Sequence, residues 1–516
     1  MAIGLVGAAI AAFTVTTPAA ISDPVRTKNG QVSGVTLPSG VRVFKGIPFG
    51  APPVGDLRWK EPQPVANWDG VRKADQWGSP CVQPSQLKRV PNNVTIDLPD
   101  SPKMSEDCLY LNVWTNADRA NDRLPVMVWI FGGAFSEGGG NSPHNDGENL
   151  ARKGVAMVTF NYRLGAFGFF AHPELTKESG RNASGNQAMA DSIATLRWVK
   201  DNIAAFGGDP NNVTIFGESA GATMVGGLVG SPVARGLFQR AIAQSGTWMG
   251  LGVAAMQTRA AAEAAATGRG GRGGGRGGRG GPPAPDAAPA QPAAPLPPPP
   301  TLAELRARST EEVVKTGGRG GMIVDGYIIP EDLSLTFAAG RQNAVDVIAG
   351  SNKDEHTTMA NNPAMRDAMA YAARLFSERQ AALGKKAWWY HFTHEPPLEP
   401  GVAFQGATHA AEMVYAFNNL HAARMIPDRS SPKLAMESAK DRAVADQMSS
   451  YWVNFAKTGD PNGRGLPRWE PFKDRNQTPH FIGEIQQWPG TAALDAFTPN
   501  WDKILNTLKA PPAPAN

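Results

Sequence analysis

Two stretches of this chain are apolar at almost every position: Pro125-Val126-Met127-Val128-Trp129-Ile130-Phe131 and Val155-Ala156-Met157-Val158-Thr159-Phe160. A strand with one wet face alternates apolar and polar residues. Runs like these mark strands buried on both faces, which belong in parallel sheets covered by helices. Further on, Ile193, Leu196, Trp198, Val199 and Ile203 recur at helical spacing between Gln187 and Ala205, and Gly207-Gly208 supplies a stop. Val213-Thr214-Ile215-Phe216 reads as the next strand, and the Ala-, Met- and Leu-rich stretch from Ala220 as the helix after it. Strand, helix, strand is an α/β order, so the spacing predicts a large, mostly parallel sheet flanked by helices. Upstream, Val25 to Trp68 breaks short β-branched runs such as Val41-Arg42-Val43-Phe44 with Gly and Pro, which predicts an antiparallel entry meander.

At 516 residues the chain fits either about three ordinary domains or one undivided α/β unit. One segment stands apart. Gly268 to Pro300 carries Gly and Arg, then Pro and Ala, with almost nothing to join a core, and reads as a disordered insert within a catalytic domain spanning 21–516. The helical pattern of Leu302 to Val314 resumes beyond it. Loop closure costs grow slowly with length, so such an insert loops out without splitting the fold. It holds four arginines and one aspartate of a formal charge of +4, leaving the rest near +1. A body so close to neutral offers no concentrated basic face for nucleic acid or anionic lipid. RNA or DNA association through the Gly/Arg residues is the rival reading, marked by strongly salt-dependent binding that deletion of Gly268 to Gly281 abolishes.

The first twenty residues hold an apolar run from Ile3 to Val15 and a small-residue tract, Pro18-Ala19-Ala20, in the manner of a signal peptide, although the first basic residue is Arg26. The expectation is export, with an ordinary apolar tail as the alternative. The run is shorter than the roughly 20 residues of a bilayer-crossing helix, and no later stretch qualifies. Cys81 and Cys108 are the only cysteines. Their spacing fits neither a zinc site nor a CxxC redox pair. A disulfide, which would stabilise the fold by roughly 3 kcal/mol and suit an oxidising compartment, and two buried thiols both remain open.

Gly217-Glu218-Ser219-Ala220-Gly221 falls where a buried strand turns into a helix. A serine there has its hydroxyl held clear of the sheet on a tight turn that needs small neighbours. Serine is a poor nucleophile unassisted, so a base must take its proton and donors must hold a developing oxyanion. Phe131-Gly132-Gly133-Ala134-Phe135 follows a buried strand directly, and its small residues leave the amides of Gly132, Gly133 and Ala134 open, with that of Ala220 as complement. A plain glycine turn is the alternative. Six histidines follow in the chain order serine, acid, histidine: His356, His391, His394, His409, His421 and His480. Residue chemistry alone does not choose among them.

Three separated motifs resemble the type-B carboxylesterase and cholinesterase family. Phe206-Gly207-Gly208-Asp209-Pro210-Asn211-Asn212-Val213 leading into the Ser219 pentapeptide is similar to its nucleophile signature, and Glu106-Asp107-Cys108-Leu109-Tyr110-Leu111-Asn112-Val113-Trp114 to its second signature. In the second, the family's cysteine pairs with one upstream, which implies a Cys81–Cys108 disulfide. The resemblance runs from about Val25 to about Asn506 and implies an α/β-hydrolase fold. It assigns the triad acid to Glu355, after Val345-Asp346-Val347-Ile348-Ala349-Gly350, with Asp354 as runner-up, and the base to His409 within Gly406-Ala407-Thr408-His409-Ala410-Ala411-Glu412. It also makes Ser245 a support for the acid and sets Trp248 and Met249 beside the acyl pocket, where core packing is an equal explanation.

The activity that the resemblance implies is that of a serine esterase acting on small-molecule carboxylic esters with no metal or organic cofactor. Ala134 stands where relatives commonly have a third glycine, which narrows the oxyanion site without removing the donor. Cholinesterases hold the choline cation on a tryptophan in the first disulfide loop. Val82 to Asp107 contains no aromatic residue, so the bacterial p-nitrobenzyl-type esterases are the nearer comparison. A binding module of the adhesion type, which lacks the nucleophile, is the rival within the family, and the presence of Ser219 separates the two. Amidase, lactonase and polyester-cleaving activities share the same chemistry and differ only in the pocket.

Overall fold

Strands that are apolar on both sides require cover above and below, and the architecture supplies it around one large sheet. The computed structural model describes residues 21, 23–84, 103–247, 251–268, 298–318, 320–355, 363–395, 406–424 and 438–509. The readings made for the N-terminal apolar run, for insert residues 269–297, and for Trp248, Met249 and His356 lie outside the described residues.

Along the chain run β1 (Val25–Arg26), β2 (Gln31–Ser33), β3 (Val35–Thr36), β4 (Arg42–Pro48), β5 (Val71–Lys73), β6 (Tyr110–Thr115) and β7 (Leu124–Ile130). They are followed by β8 (Ala156–Phe160), β9 (Gly208–Glu218), β10 (Arg240–Gln244), β11 (Asp346–Asn352), β12 (Ala387–Phe392) and β13 (His480–Ile482). Ten of them form one sheet in the order β13-β12-β11-β10-β9-β7-β8-β6-β4-β3. Every pair from β13 to β8 is parallel, and β8–β6, β6–β4 and β4–β3 are antiparallel, as expected of a parallel sheet with an N-terminal meander. A small second sheet joins β1, β2 and β5.

Strand β7 lies between β8 and β9, so the chain winds outward from it in both directions. In parallel sheets the crevice beyond the carboxyl ends of the strands at such a reversal is the natural binding site. Below it, Trp129 and Phe216 pack with Phe417 at ring separations of 4.8 to 5.4 Å. The helix Ala220–Gly230 packs on β9 and β10, Ala439–Thr458 on β7 and β9, and Pro363–Ala381 on β11 and β12.

The predicted helix over Leu302 to Val314 is instead two, Leu302–Ala307 and Thr310–Thr316. Each begins with its own capping box, Thr301 with Glu304 and Ser309 with Glu312, and the second box captures the backbone that a continuous helix would need. Apolar periodicity survives the break, because Leu302, Leu305 and Val313 bury together against Trp59 and Phe167. The strand read at Val213 to Phe216 extends in both directions to Gly208–Glu218.

Cys81 and Cys108 form a disulfide. Beside it, Gln83 exchanges two hydrogen bonds with Gly138, donating Nε2 to its carbonyl at 2.9 Å and accepting its N–H at 3.0 Å. The crosslink is thereby tied to the loop that follows β7. Replacing both cysteines with alanine is expected to lower the unfolding free energy by about 3.5 kcal/mol, the chain-entropy value for a loop of this size, in oxidising urea titrations. An unchanged denaturation midpoint would contradict this.

Candidate active site

Ser219 sits at the carboxyl end of β9 with φ +55° and ψ −122°, a backbone conformation unfavourable for a residue with a side chain. Bonds on both sides enforce it. Its N–H donates to the Gln244 carbonyl at 2.9 Å, and its own carbonyl accepts from Thr223 N–H at 3.0 Å. Gly221 is required by close approach: a Cβ there would stand 2.6 Å from the Phe131 carbonyl oxygen and closer still to that of Ile130. The absence of that atom lets the end of β7 lie directly against the elbow.

Beyond β7, Gly133 takes φ +106°, which only glycine adopts at ease, and Ala134 takes φ +53°. The Gly133 carbonyl turns inward to accept from Ser136 N–H at 3.0 Å and Glu137 N–H at 3.1 Å. Among the described residues, the amides of Gly133, Ala134 and Ala220 have no acceptor. Gly132 lies against Ser219, since a Cβ built on it would fall 3.0 Å from that of the serine. Tyr162 stacks on Phe131 at 4.1 Å and donates its hydroxyl to the Phe131 carbonyl at 2.7 Å, fixing the start of the loop.

Two further strand ends deliver the partners. Glu355 follows β11 and is fully buried, accepting Asn352 N–H at 2.9 Å. His409 arrives on a loop held to β11 by Asp354, whose Oδ2 accepts Ala407 N–H at 2.8 Å and pairs with Lys353 at 2.8 Å. Asp354, the alternative acid, therefore holds the backbone of the histidine loop, and Glu355 meets the ring. His409 Nδ1 lies 2.6 Å from Glu355 Oε2, and Nε2 lies 2.8 Å from Ser219 Oγ. With Nδ1–H donated to the carboxylate, Nε2 is left to accept the serine proton.

The electrostatics favour an imidazolium in this position. Burial depresses the basicity of His409, but the charges of Glu355 and Glu218 and the bond to Glu355 outweigh it, and the net direction is upward. Burial pushes the Glu355 carboxyl up, and its interactions with His409, Ser245 and Asn352 N–H hold it below the usual carboxylate range. Ser245, at φ +53°, is buried with its N–H on the Gly350 carbonyl at 2.9 Å. Its hydroxyl faces Glu355 without a hydrogen bond of ordinary length. The other described histidines have different surroundings. Burial lowers His391 and His480 to about 4, His480 stacks on Trp469 at 4.8 Å, and His394 Nε2 is 2.8 Å from Asp441 Oδ1.

Two acids at the site went unassigned in the sequence. Glu218, inside the elbow pentapeptide, places Oε1 3.2 Å from His409 Nε2, and Glu412, three residues after His409, is wholly buried. An acid beside the serine and another three residues past the histidine were the available signals.

A large, mostly parallel sheet with Ser219, His409 and Glu355 brought together at its reversal point is the framework of an α/β-hydrolase. The chain belongs to the Carboxylesterase family, whose profile matches residues 22–374 and 363–491. It is 34% identical over 509 residues to a fumonisin B1 esterase of Sphingopyxis macrogoltabida, covering 90% of this chain and 87% of that one. With the para-nitrobenzyl esterase of Bacillus subtilis (strain 168) it shares 33% over 494 residues, 88% of this chain and 93% of the other. Among solved structures, a Geobacillus stearothermophilus carboxylesterase at pH 6.2 superposes with a TM-score of 0.69 at 29% identity, covering 89% of this chain and 96% of that chain. A PNB esterase gives 0.68 at 29%, covering 87% and 93%. Among the described residues, no helix is long and apolar enough to cross a membrane.

Proposed function

We propose that this chain hydrolyses small-molecule carboxylic esters through an acyl-enzyme on Ser219, with His409 as base and Glu355 as its orienting acid. The observation that carries the reading is the proton line itself, Oγ to Nε2 at 2.8 Å and Nδ1 to Oε2 at 2.6 Å. Ser219 attacks the ester carbonyl as His409 takes its proton, and the new oxyanion meets the amides of Gly133, Ala134 and Ala220. The imidazolium, stabilised by Glu355, then protonates the leaving alcohol. Water repeats the sequence on the acyl group and frees the serine. The relatives' names, fumonisin B1 esterase and para-nitrobenzyl esterase, support an ester substrate. The apolar run from Ile3 to Val15 and the Cys81–Cys108 bond support export to an oxidising compartment.

A panel of p-nitrophenyl esters of graded acyl length, with matching p-nitroanilides, tests the substrate class. Rapid p-nitrophenolate release from the short esters and much slower cleavage of the anilides are expected. Failure to turn over any ester of the panel would overturn the reading.

A further inference from the structure

The loop that presents the amides of Gly133 and Ala134 is pinned at three points. At its start, Tyr162 stacks on Phe131 and bonds the Phe131 carbonyl. In its middle, the Phe135 carbonyl accepts Gly165 N–H at 2.7 Å. The Gly133 carbonyl, accepting from Ser136 and Glu137 N–H, closes a tight turn over 133–137 that runs straight into Gly138. There the loop meets its own beginning: a Cβ on Gly138 would stand 2.5 Å from the Phe131 ring and 2.9 Å from the Gly132 carbonyl oxygen. A displacement at Gly138 is therefore felt on both sides of the oxyanion donors.

Gly138, the third point, is held by a side chain. Gln83, itself buried, donates Nε2 to the Gly138 carbonyl at 2.9 Å and to the Cys81 carbonyl at 3.1 Å, and its Oε1 accepts Gly138 N–H at 3.0 Å. One carboxamide thus serves both backbone groups of Gly138 and joins them to a half of the disulfide. The task needs donors and an acceptor on one short side chain, which an amide has and a carboxylate lacks. A second link runs beside it. Asn161 Oδ1 accepts Gly140 N–H at 2.9 Å, and its Nδ2 donates to the Ser79 carbonyl at 3.0 Å. Two amides therefore join residues 79–83 to residues 138–140, and Cys81 is crosslinked to Cys108 just before β6.

We infer that Gln83 is a positioning residue for the ester reaction: by fixing Gly138 it sets the direction in which the Gly133 and Ala134 amides point at the developing oxyanion. The inference rests on the triad reading. An oxyanion donor acts through its direction as well as its presence, because the charge it meets exists only in the transition state. Without the carboxamide, Gly138 has two buried backbone groups left to satisfy, and the end of the loop shifts to satisfy them. The bonds from Gln83 end on Cys81 and Gly138, outside the proton line from Ser219 to Glu355, so the effect belongs to the oxyanion side of the site.

The test is Gln83→Met, close in size and unable to donate, run beside Gln83→Glu, whose carboxylate still accepts Gly138 N–H but sets an oxygen against both carbonyls. With a short p-nitrophenyl ester, kcat/KM is expected to fall about 10- to 100-fold in each, less than the loss of a whole oxyanion donor. The second readout is a short-chain alkyl trifluoromethyl ketone. A serine adds to its carbonyl carbon, the hydroxyl proton passes to the base, and the carbonyl oxygen becomes an oxyanion, so its affinity is expected to weaken by a similar factor. The acid limb of the pH profile is expected to superimpose on the wild type, because His409 and Glu355 keep their surroundings. A folded variant with wild-type kcat/KM would overturn the inference, as would a loss of kcat/KM with unchanged ketone affinity or with a shifted acid limb. If neither variant folds, hydrogen exchange of the wild type decides: slow exchange of the Gly138 N–H, whose bond goes to Gln83, is expected, and exchange at the rate of an open loop overturns the inference. Turnover surviving in Ser219→Ala would instead remove the triad reading itself.

Discussion

Ser219→Ala is expected to lose turnover of short p-nitrophenyl esters by a factor on the order of 10⁵ to 10⁶, with the circular dichroism spectrum and Tm close to wild type. Loss of a triad serine in comparable hydrolases has an effect of that size, and the activity left behind is oxyanion and binding catalysis alone. The fold is expected to tolerate the change because the elbow is held by backbone groups, Ser219 N–H on Gln244 and Thr223 N–H on the Ser219 carbonyl, which alanine retains. The hydroxyl has its hydrogen bond with His409. Steady-state kinetics on both proteins checks this, and a variant with a tenth or more of wild-type kcat contradicts it.

Glu355→Gln is expected to lower kcat about 10³- to 10⁴-fold and to move the pH profile as well. The amide keeps the shape but presents the wrong group to Nδ1, so the tautomer with Nε2 free to accept a proton is no longer favoured. The sign of the pH effect is set by the charge removed. Glu355 is the leading influence that raises His409 above the ordinary 6.5, so the wild-type acid limb of kcat/KM is expected above that value. Without the carboxylate, the ring deprotonates more easily and the acid limb shifts to lower pH. A profile that superimposes on the wild type would show that Glu355 does not govern the base.

What was legible in the sequence was local. The strand β9, the sharp turn at Ser219 and the helix after it are contiguous, and their apolar and glycine pattern reports burial and turn geometry without reference to distant residues. The pairing of Glu355 with His409 was not legible in that way. The two residues are 54 positions apart, and only the ends of β11 and of the loop tied down by Asp354 bring them together. Residue chemistry left six histidines open, and the family resemblance chose His409. The break at Ser309 was missed because apolar periodicity is unchanged across it, although the Ser309 to Glu312 spacing of a capping box was readable. Glu412 carried no sequence signal of its burial, in which Gln244 and Asn352 reach it from two separate strands.

The most direct measurement is rapid acid quench of the enzyme during turnover of a p-nitrophenyl ester, followed by peptide mass mapping. An acyl mass carried by the peptide containing Ser219, absent from Ser219→Ala, is the result predicted. An acyl adduct on another side chain, or steady turnover with Ser219 never acylated, would contradict the account.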